Sequence, residues 1–262
     1  MIKSVEWLND NLNSDRLILL DSSLPSKKTR ELQIPKTRFF DIKNDFSDEG
    51  SPFPNTMPSE KKFQEGARSL GINSDSLIVI YDNLGIYTSA RVWYMFRSMG
   101  HEEVYVLDGG LPEWILKGYT TEVVKKSRSA TGNFVAHFDD KAFCNIDLIR
   151  ENIVSERYEL IDARSAGRFQ GTAPEPRVEL ESGNIKGSVN LPYTEVLSNG
   201  KFKSPRELAS FFSKKKAIIF SCGSGITACI ILLASEIASV NTEKCIFDGS
   251  WTEWAISNGL TK

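Results

Sequence analysis

The residue of this 262-residue chain best suited to act as a nucleophile is Cys222. It follows the apolar run 217–221 and opens the segment Cys-Gly-Ser-Gly-Ile-Thr, after which come helix-forming residues 228–238. A strand–loop–helix with two glycines directs backbone N–H groups and the positive end of a helix dipole toward one point. Both effects stabilise a thiolate and lower the thiol pKa from its usual value of about 8.5. The pattern therefore favours a sulfur nucleophile over a buried structural cysteine.

The other three cysteines show no comparable pattern. Cys229 lies just inside the predicted helix and Cys245 in a predicted strand, so we expect both to pack in the core, while the sequence leaves the exposure of Cys144 open. No two cysteines form a C-x-x-C pair, and the chain has only two histidines. A disulfide framework and a structural zinc site are therefore not expected.

A second polar segment follows a predicted strand that ends at Asp162. It contains Arg168 and Arg177, which lie nine residues apart. Ligands of open α/β folds bind at the carboxyl edge of the sheet, where this segment begins. Two guanidinium groups at that edge fit a clamp for a small carboxylate. The spacing alone slightly favours surface arginines, or ion pairs with the glutamates at 175, 179 and 181, over such a clamp.

The composition limits the classes of protein to which the chain can belong. There are 32 Lys and Arg against 34 Asp and Glu, so the formal net charge is −2. We therefore expect no nucleic-acid partner and no anionic membrane surface. The apolar run 230–234 is too short to span a bilayer, and the N-terminal residues resemble neither a signal nor a transit peptide. We expect a cytoplasmic protein.

The chain repeats itself at an offset of 140 residues. Between 77–118 and 217–258, eight aligned residues are identical, among them Asp108-Gly109 with Asp248-Gly249 and Trp114 with Trp254. Each copy has an apolar run, a glycine-containing turn, a helix-length stretch and a second run ending in Asp-Gly. This order predicts two α/β domains, each with a parallel sheet flanked by helices. The copy-one equivalent of Cys222 is Asp82, so copy one is expected to be catalytically inactive.

The repeat gives the predicted domain boundaries. An inactive domain is expected over 1–122, a linker over 123–143 and a catalytic domain over 144–262, because the polar sequence after residue 120 lacks periodicity. Earlier apolar runs at 17–21 and 160–162 are expected to add strands to the two sheets. The segments 43–60 and 171–184 are rich in Pro, Gly, Ser and charge, and are predicted to be long loops.

Several motifs together resemble those of the tandem-rhodanese-domain sulfurtransferases, and most closely the 3-mercaptopyruvate type. They are spread along nearly the whole chain: FFDI at 39–42, LDGGLPEW at 107–114, IDARSAGRFQGTAPEPR at 161–177, SGNIKGSVNLPY at 182–193, CGSGIT at 222–227 and DGSWTEW at 248–254. The combination is much more specific than any single motif. The resemblance implies two rhodanese-like α/β domains, of which the second is active.

The resemblance also implies an activity and a set of site residues. A thiolate attacks the sulfur of 3-mercaptopyruvate, pyruvate leaves, and an acceptor thiol or cyanide removes the outer sulfur of the resulting cysteine persulfide, without a metal or organic cofactor. The acceptor is expected to be thioredoxin or a low-molecular-weight thiol. By position, the nucleophile is Cys222, the substrate-carboxylate residues are Arg168 and Arg177, the residue near the substrate carbonyl is Ser224, and the N–H cradle comes from Gly223, Gly225, Ile226 and Thr227.

Two positions depart from the pattern of the resembled family. A histidine commonly follows the FFDI segment and completes a Ser–His–Asp arrangement; here Asp41 and Ser224 are present, but Asn55 stands at the histidine position. An amide can hydrogen-bond but cannot shuttle a proton near pH 7. In addition, the usual G-H-I-P-G of the second domain is replaced by Gly-Asn-Ile-Lys-Gly at 183–187.

Three alternative functions fit the same residues less well. Thiosulfate is the nearest rival donor, but relatives that prefer it usually carry basic residues in the cysteine loop, and this loop has none. Cysteine phosphatases and arsenate reductases need an arginine six residues after the cysteine, where this chain has Ala228. A non-catalytic sulfur-carrier or binding module is disfavoured because Cys222, Arg168 and Arg177 are retained together.

Overall fold

The computed structural model describes residues 1–25, 30–125, 129–212 and 216–262, which form two compact units. Unit 1 comprises residues 1–49, 57–139 and 199–202. Unit 2 comprises residues 50–56, 140–198 and 203–262. Each unit therefore contains most of one sequence repeat together with a short segment from the other half of the chain.

The first half of the chain contains seven described strands, five of which form a parallel sheet. Its described strands are β1 (Ile2–Lys3), β2 (Leu17–Asp21), β3 (Leu32–Gln33), β4 (Arg38–Phe39), β5 (Leu77–Tyr81), β6 (Val104–Leu107) and β7 (Glu122–Val123), and its helices are α1 (Val5–Asn11), α2 (Glu60–Ser69), α3 (Ser89–Ser98) and α4 (Gly110–Leu116). The sheet order is β1-β6-β5-β2-β4, with every neighbouring pair parallel. A short antiparallel pair, β3 with β7, lies apart from this sheet.

The second half of the chain repeats this architecture. Its described elements are β8 (Phe143–Cys144), α5 (Ile146–Ser155), β9 (Tyr158–Asp162), α6 (Ala166–Phe169), β10 (Val189–Asn190), a 3₁₀ turn (Tyr193–Val196), β11 (Leu197–Ser198), β12 (Lys201–Phe202), α7 (Pro205–Ala209), β13 (Ala217–Ser221), α8 (Ala228–Ile237), β14 (Lys244–Phe247) and α9 (Ser250–Ser257). The sheet order is β10-β9-β13-β14-β8, again with parallel pairs. The predicted fold class, two α/β units with parallel sheets, is confirmed.

The central strands show why the apolar runs form strands at all. Four of the five residues are buried in β5 and again in β13, because each lies between two neighbours and is covered on both faces. The predicted strands at 17–21, 77–81 and 217–221 are confirmed at both ends, and β9 begins two residues before its predicted start. Each central strand ends directly before a candidate loop residue, Asp82 in unit 1 and Cys222 in unit 2.

Helix α8 follows the Cys222 loop and is the most apolar helix of unit 2. Every residue from Ala228 to Ser235 is buried. A helix that is apolar all round packs inside the protein, and α8 thereby fixes the end of the loop in the core. Its last residue is Ile237, one residue before the predicted end. No helix in the described part of the chain is long and apolar enough to cross a membrane.

The described residues of the segment predicted as a linker over 123–143, namely 123–125 and 129–143, are more structured than a flexible connection. Val123 belongs to β7, and residues 126–128 lie outside the described residues. Beyond them, the N–H groups of Gly132, Phe134 and His137 donate to backbone carbonyls of unit 1. The polar composition predicts a linker because the backbone partners of these groups are distant in sequence and leave no trace in the local composition. The boundaries at 122 and 144 stay a prediction.

Gly110 and its repeat equivalent Ser250 begin α4 and α9 with the same unusual backbone conformation. Their φ angles are +55° and +51°, in the left-handed region that side chains disfavour. In unit 1 a methyl group at Gly110 would lie 2.4 Å from Gly85 O and 2.6 Å from Asp82 O. The loop of unit 1 therefore excludes the side chain that unit 2 has at this position.

We expect Gly110→Ala to destabilise the protein more than Gly118→Ala, which serves as the matched control. Gly118 also has a positive φ, of +73°, but its added methyl group would meet no atom within 4 Å. The control therefore measures the backbone cost alone, about 1–2 kcal/mol. Steric overlap at Gly110 adds about 1–3 kcal/mol to this. Urea unfolding of both variants tests the difference, and equal losses would contradict it.

Candidate active site

Cys222 lies buried at the point where β13 ends, with only 2% of its surface exposed. Its backbone is held from one side by the start of α9: the Cys222 N–H donates to Ser250 Oγ at 3.1 Å, and Cys222 O accepts from Trp251 N at 3.0 Å. The Ser250 hydroxyl is also 4.0 Å from Cys222 Sγ, within hydrogen-bond reach of a sulfur atom. The backbone of the candidate nucleophile is therefore fixed against the start of α9.

Ser250 is a site residue that the sequence reasoning missed. It is fully buried, and its Oγ accepts from the N–H groups of both Cys222 and Gly225, the latter at 3.2 Å, while donating to Phe247 O at 2.8 Å. The Gly225 N–H, predicted to form part of the cradle, is thus bonded to this hydroxyl. The 140-residue repeat could have identified Ser250, because this residue aligns with Gly110 inside an otherwise shared Asp-Gly-…-Glu-Trp motif.

Arg168 lies next to the cysteine loop. A methyl group added at Gly223 would be 2.7 Å from Arg168 Nη2, so glycine is needed for the guanidinium to approach the loop this closely. Glu175 fixes that position by accepting from Arg168 Nε at 3.0 Å and from Nη2 at 2.5 Å. Burial alone would lower the pKa of Arg168, but the bonds to Glu175 and the negative charges of Glu175 and Asp162 raise it overall. A permanent cation therefore stands beside Cys222.

A buried second arginine supports the first. Arg164 is fully buried and pairs with Asp162 through Nη2 at 2.7 Å and with Glu175 through Nη1 at 2.9 Å. Its guanidinium also lies over the Trp251 ring, 4.3 Å from the centroid. Glu175 is thus shared between Arg164 and Arg168. Ion pairing of Arg168 with Glu175, one of the two possibilities that the spacing allowed, is observed, and it orients Arg168 toward Gly223.

Arg177 reaches the same loop through Thr252. Its Nη1 donates to Thr252 Oγ1 at 3.3 Å, and the Thr252 hydroxyl donates to Gly223 O at 2.6 Å. Thr252 N also donates to Gly223 O, at 3.1 Å. Arg177 is half-buried. Of the two predicted carboxylate-binding arginines, Arg168 therefore lies against Gly223, the residue that follows the cysteine, and Arg177 is linked to Gly223 through the Thr252 hydroxyl.

Ser224 is paired with Asn55, which belongs to unit 2 through the segment 50–56. Asn55 Nδ2 donates to Ser224 Oγ at 3.1 Å and to Ser224 O at 3.3 Å. Asp41, by contrast, belongs to unit 1, where its carboxylate accepts from the N–H groups of Lys43 and Asn44 and from Asn44 Nδ2. The structure thus joins Asn55 to Ser224 and gives Asp41 partners in its own loop.

The remaining loop residues close onto helix α8. Ile226 is buried and its carbonyl accepts from Cys229 N, and Thr227 O accepts from Ile230 N in the first turn. Cys229 is fully buried and its Sγ donates to Gly225 O at 3.5 Å. The expectation that Cys229 packs in the core is confirmed. These bonds set the direction in which the loop presents its N–H groups.

Unit 1 shows what the equivalent loop holds when it has no cysteine. The Asp82 carboxylate accepts from the N–H groups of Leu84, Tyr87, Thr88 and Ser89, at 2.8 to 3.0 Å. An anionic group is thus bound by a ring of backbone donors at the start of a helix. By the repeat, the equivalents of Leu84, Tyr87 and Thr88 in unit 2 are residues 224, 227 and 228, around Cys222.

The other cysteines and the metal question complete the description of the site. Cys245 is buried, as expected, and hydrogen bonding with Cys245 together with burial raises the pKa of the Cys144 thiol, so Cys144 stays protonated at neutral pH. Across residues 1–25, 30–125, 129–212 and 216–262, no group of three or more His, Cys, Asp or Glu is arranged to hold a metal ion.

Comparison with known proteins gives the same two-part division. Residues 4–117 and 146–257 each match the family model described as the rhodanese-like domain. The chain is 39% identical to 3-mercaptopyruvate sulfurtransferase of Mus musculus, covering 96% of this chain and 90% of that protein. It is 36% identical to thiosulfate/3-mercaptopyruvate sulfurtransferase 1, mitochondrial, of Arabidopsis thaliana, covering 99% of this chain and 77% of that protein.

The fold is likewise similar to solved structures. The crystal structure of SseA from Escherichia coli, described as a 3-mercaptopyruvate sulfotransferase, superposes with a TM-score of 0.85 at 31% sequence identity. The match covers 95% of this chain and 98% of SseA. The similarity therefore extends over both units rather than over one rhodanese-like domain.

We expect Ser250→Ala to weaken both stability and the reactivity of Cys222. The substitution leaves the buried N–H groups of Cys222 and Gly225 without this acceptor, at a cost of about 1–3 kcal/mol for each. Ser235→Ala is the matched control, because the Ser235 hydroxyl is equally buried but donates only to Leu232 O of its own helix. Urea unfolding and the rate of thiol alkylation are measured together. Similar behaviour of the two variants would contradict the role assigned to Ser250.

Proposed function

The chain belongs to the rhodanese family, and from that premise we propose that it moves sulfur from 3-mercaptopyruvate to a thiol or cyanide through a Cys222 persulfide. Sulfurtransferase activity is common to the names of the mouse and Arabidopsis relatives. The observation that carries the choice of donor is the position of Arg168, a charged guanidinium against Gly223 and beside the nucleophile. A donor with a carboxylate fits such a cation.

The proposed reaction has two steps. In the first, Cys222 Sγ forms a bond to the donor sulfur and the carbon–sulfur bond of mercaptopyruvate breaks, with its electron pair leaving on the enolate of pyruvate. Protonation of the enolate carbon gives pyruvate. In the second, an acceptor thiolate or cyanide takes the outer sulfur of the persulfide and restores the Cys222 thiolate. Such covalent transfer predicts ping-pong kinetics.

The surrounding residues are proposed to have separate roles in the first step. Arg168 and Arg177 hold the donor carboxylate, since Arg168 lies against Gly223 and Arg177 is linked to Gly223 through Thr252. Backbone N–H groups equivalent to those that bind Asp82 in unit 1 stabilise the thiolate and the outer sulfur of the persulfide. Ser224 is proposed to face the ketone of the donor. The reaction so written uses no metal and no organic cofactor.

Thiosulfate is the second candidate donor. The Arabidopsis relative includes it in its name. Mercaptopyruvate is preferred because the cysteine loop itself carries no lysine or arginine. The acceptor is proposed to be thioredoxin or a low-molecular-weight thiol. We also propose a cytoplasmic setting, because the four cysteines are free thiols, as in reducing compartments.

The proposed intermediate is tested by intact mass after mixing the protein with 3-mercaptopyruvate, and separately with thiosulfate, in the absence of reductant. The expected result is a gain of one sulfur atom that dithiothreitol removes and that Cys222→Ser abolishes. Cys229→Ser is the matched control, because Cys229 is buried in α8 behind the loop and should leave the mass gain in place. If neither donor loads the wild-type thiol, the sulfurtransferase proposal fails and the binding-module alternative gains support.

The proposed carboxylate clamp is tested by Arg177→Ala, with the solvent-exposed Arg157→Ala as a matched control. Arg177 is preferred to Arg168 because losing Arg168 would also leave the buried Glu175 with one partner fewer. A charge-assisted bond is worth about 1.5–3 kcal/mol, so KM for mercaptopyruvate should rise about 10- to 100-fold. KM for thiosulfate should change much less. Equal losses on the two donors would mean that Arg177 is structural.

A further inference from the structure

Asn55 determines the direction of the hydrogen bond made by the Ser224 hydroxyl. The amide faces two atoms of the same residue, Ser224 O at 3.3 Å and Ser224 Oγ at 3.1 Å. A backbone carbonyl can only accept, so the atom of Asn55 that faces both is the nitrogen, Nδ2. Ser224 Oγ therefore accepts from Asn55. The proton of the Ser224 hydroxyl is consequently directed away from Asn55.

The backbone of Asn55 explains why an amide can be held there. Its φ angle is +61°, in the left-handed region where asparagine and aspartate are the most readily accommodated residues after glycine. The segment 50–56 belongs to unit 2, so the amide is part of the same compact unit as the loop it contacts. The side chain is therefore presented to Ser224 by a fixed turn. Aspartate and glycine can replace it without a new backbone cost.

We propose that Asn55 is a positioning residue that makes Ser224 a hydrogen-bond donor to the ketone oxygen of the sulfur donor. This inference rests on the proposed function. When Cys222 Sγ bonds to the donor sulfur and the carbon–sulfur bond breaks, the electron pair forms an enolate whose charge lies largely on the former ketone oxygen. The Ser224 proton stays on Ser224 and stabilises that charge by a hydrogen bond, and water protonates the carbon.

The role makes Asn55 a determinant of donor specificity. A hydrogen bond to a charge that develops in the transition state raises kcat more than it lowers KM. Thiosulfate has no ketone and forms no enolate, so its transfer does not gain from a Ser224 donor directed by Asn55. The chain therefore favours α-keto thiols by a device distinct from the carboxylate clamp. Because a carboxamide does not titrate between pH 5 and 9, this device works without moving a proton.

The test is Asn55→Asp, which keeps the size and the backbone preference of the residue but reverses its hydrogen bonding. A carboxylate can only accept, so it captures the Ser224 proton and faces Ser224 O without a donor. The expected result is a fall in kcat with mercaptopyruvate of about 100-fold, as for the loss of one oxyanion donor, with KM little changed. Persulfide loading from thiosulfate should stay within about threefold of wild type, since the change does not touch that transition state.

Three further variants make the test specific. Asn258→Asp adds the same charge at an exposed asparagine at the end of α9, and it should leave both donors unaffected. Ser224→Ala should reproduce the donor-selective loss, and adding Asn55→Asp to it should cost nothing more, because the two residues act as one unit. If Asn55→Asp fails to fold, Asn55→Gly and the same cycle with Ser224→Ala carry the test, with a loss of roughly tenfold expected for the missing orientation.

The outcomes separate this inference from the proposed function. Equal losses on the two donors, additive losses with Ser224→Ala, or unchanged kinetics in Asn55→Asp would each overturn the role of Asn55 while leaving the persulfide chemistry intact. If wild-type Cys222 is not loaded by mercaptopyruvate at all, the proposed donor is wrong, and the inference is overturned with it. A donor-selective fall in kcat that is absent from Asn258→Asp supports the proposal.

Discussion

The buried hydroxyl of Ser250 accepts hydrogen bonds from the backbone N–H groups of both the first and the fourth residue of the Cys222 loop. Two donors of a tight loop then share one acceptor, which in turn donates to Phe247 O. The loop cannot open without exposing these groups to an apolar core, where an unpaired N–H is costly. Because the loop is fixed, the distances from Gly223 to Arg168 and from Ser224 to Asn55 have a defined value.

Charge compensation is the second condition on which the site depends. Asp162, Glu175 and Arg164 are each nearly fully buried, and removing Arg164 would leave the Asp162 carboxylate without its cationic partner, at a cost of about 3–5 kcal/mol. The pairs are arranged in series, with Glu175 shared by Arg164 and by Arg168, the more exposed of the two arginines. The buried part of the network thus holds Arg168 against the loop while part of its guanidinium stays available to an anion.

The two halves of the chain show how one architecture supports opposite outcomes. In unit 1 an aspartate fills the ring of N–H groups with its own carboxylate, so the ring is satisfied and closed to a ligand. In unit 2 a cysteine stands at that position, and Ser250 occupies the place of Gly110. The two changes are Asp82 against Cys222 and Gly110 against Ser250. They replace a carboxylate that binds the N–H groups of its own loop with a cysteine sulfur atom.

The sequence by itself determined the longer central strands, the repeat, the parallel sheets and the position of Cys222, because apolar runs, glycines and the Asp-Gly motif act locally or at one fixed offset. The ion pair of Arg168 with Glu175, the hydrogen bonds of Ser250 and the packing of the segment after residue 128 were decided only by the tertiary structure. The contact of Asn55 with Ser224 joins residues 169 positions apart. Side-chain hydrogen bonds between such distant residues leave no periodic pattern, so only the folded chain brings them together.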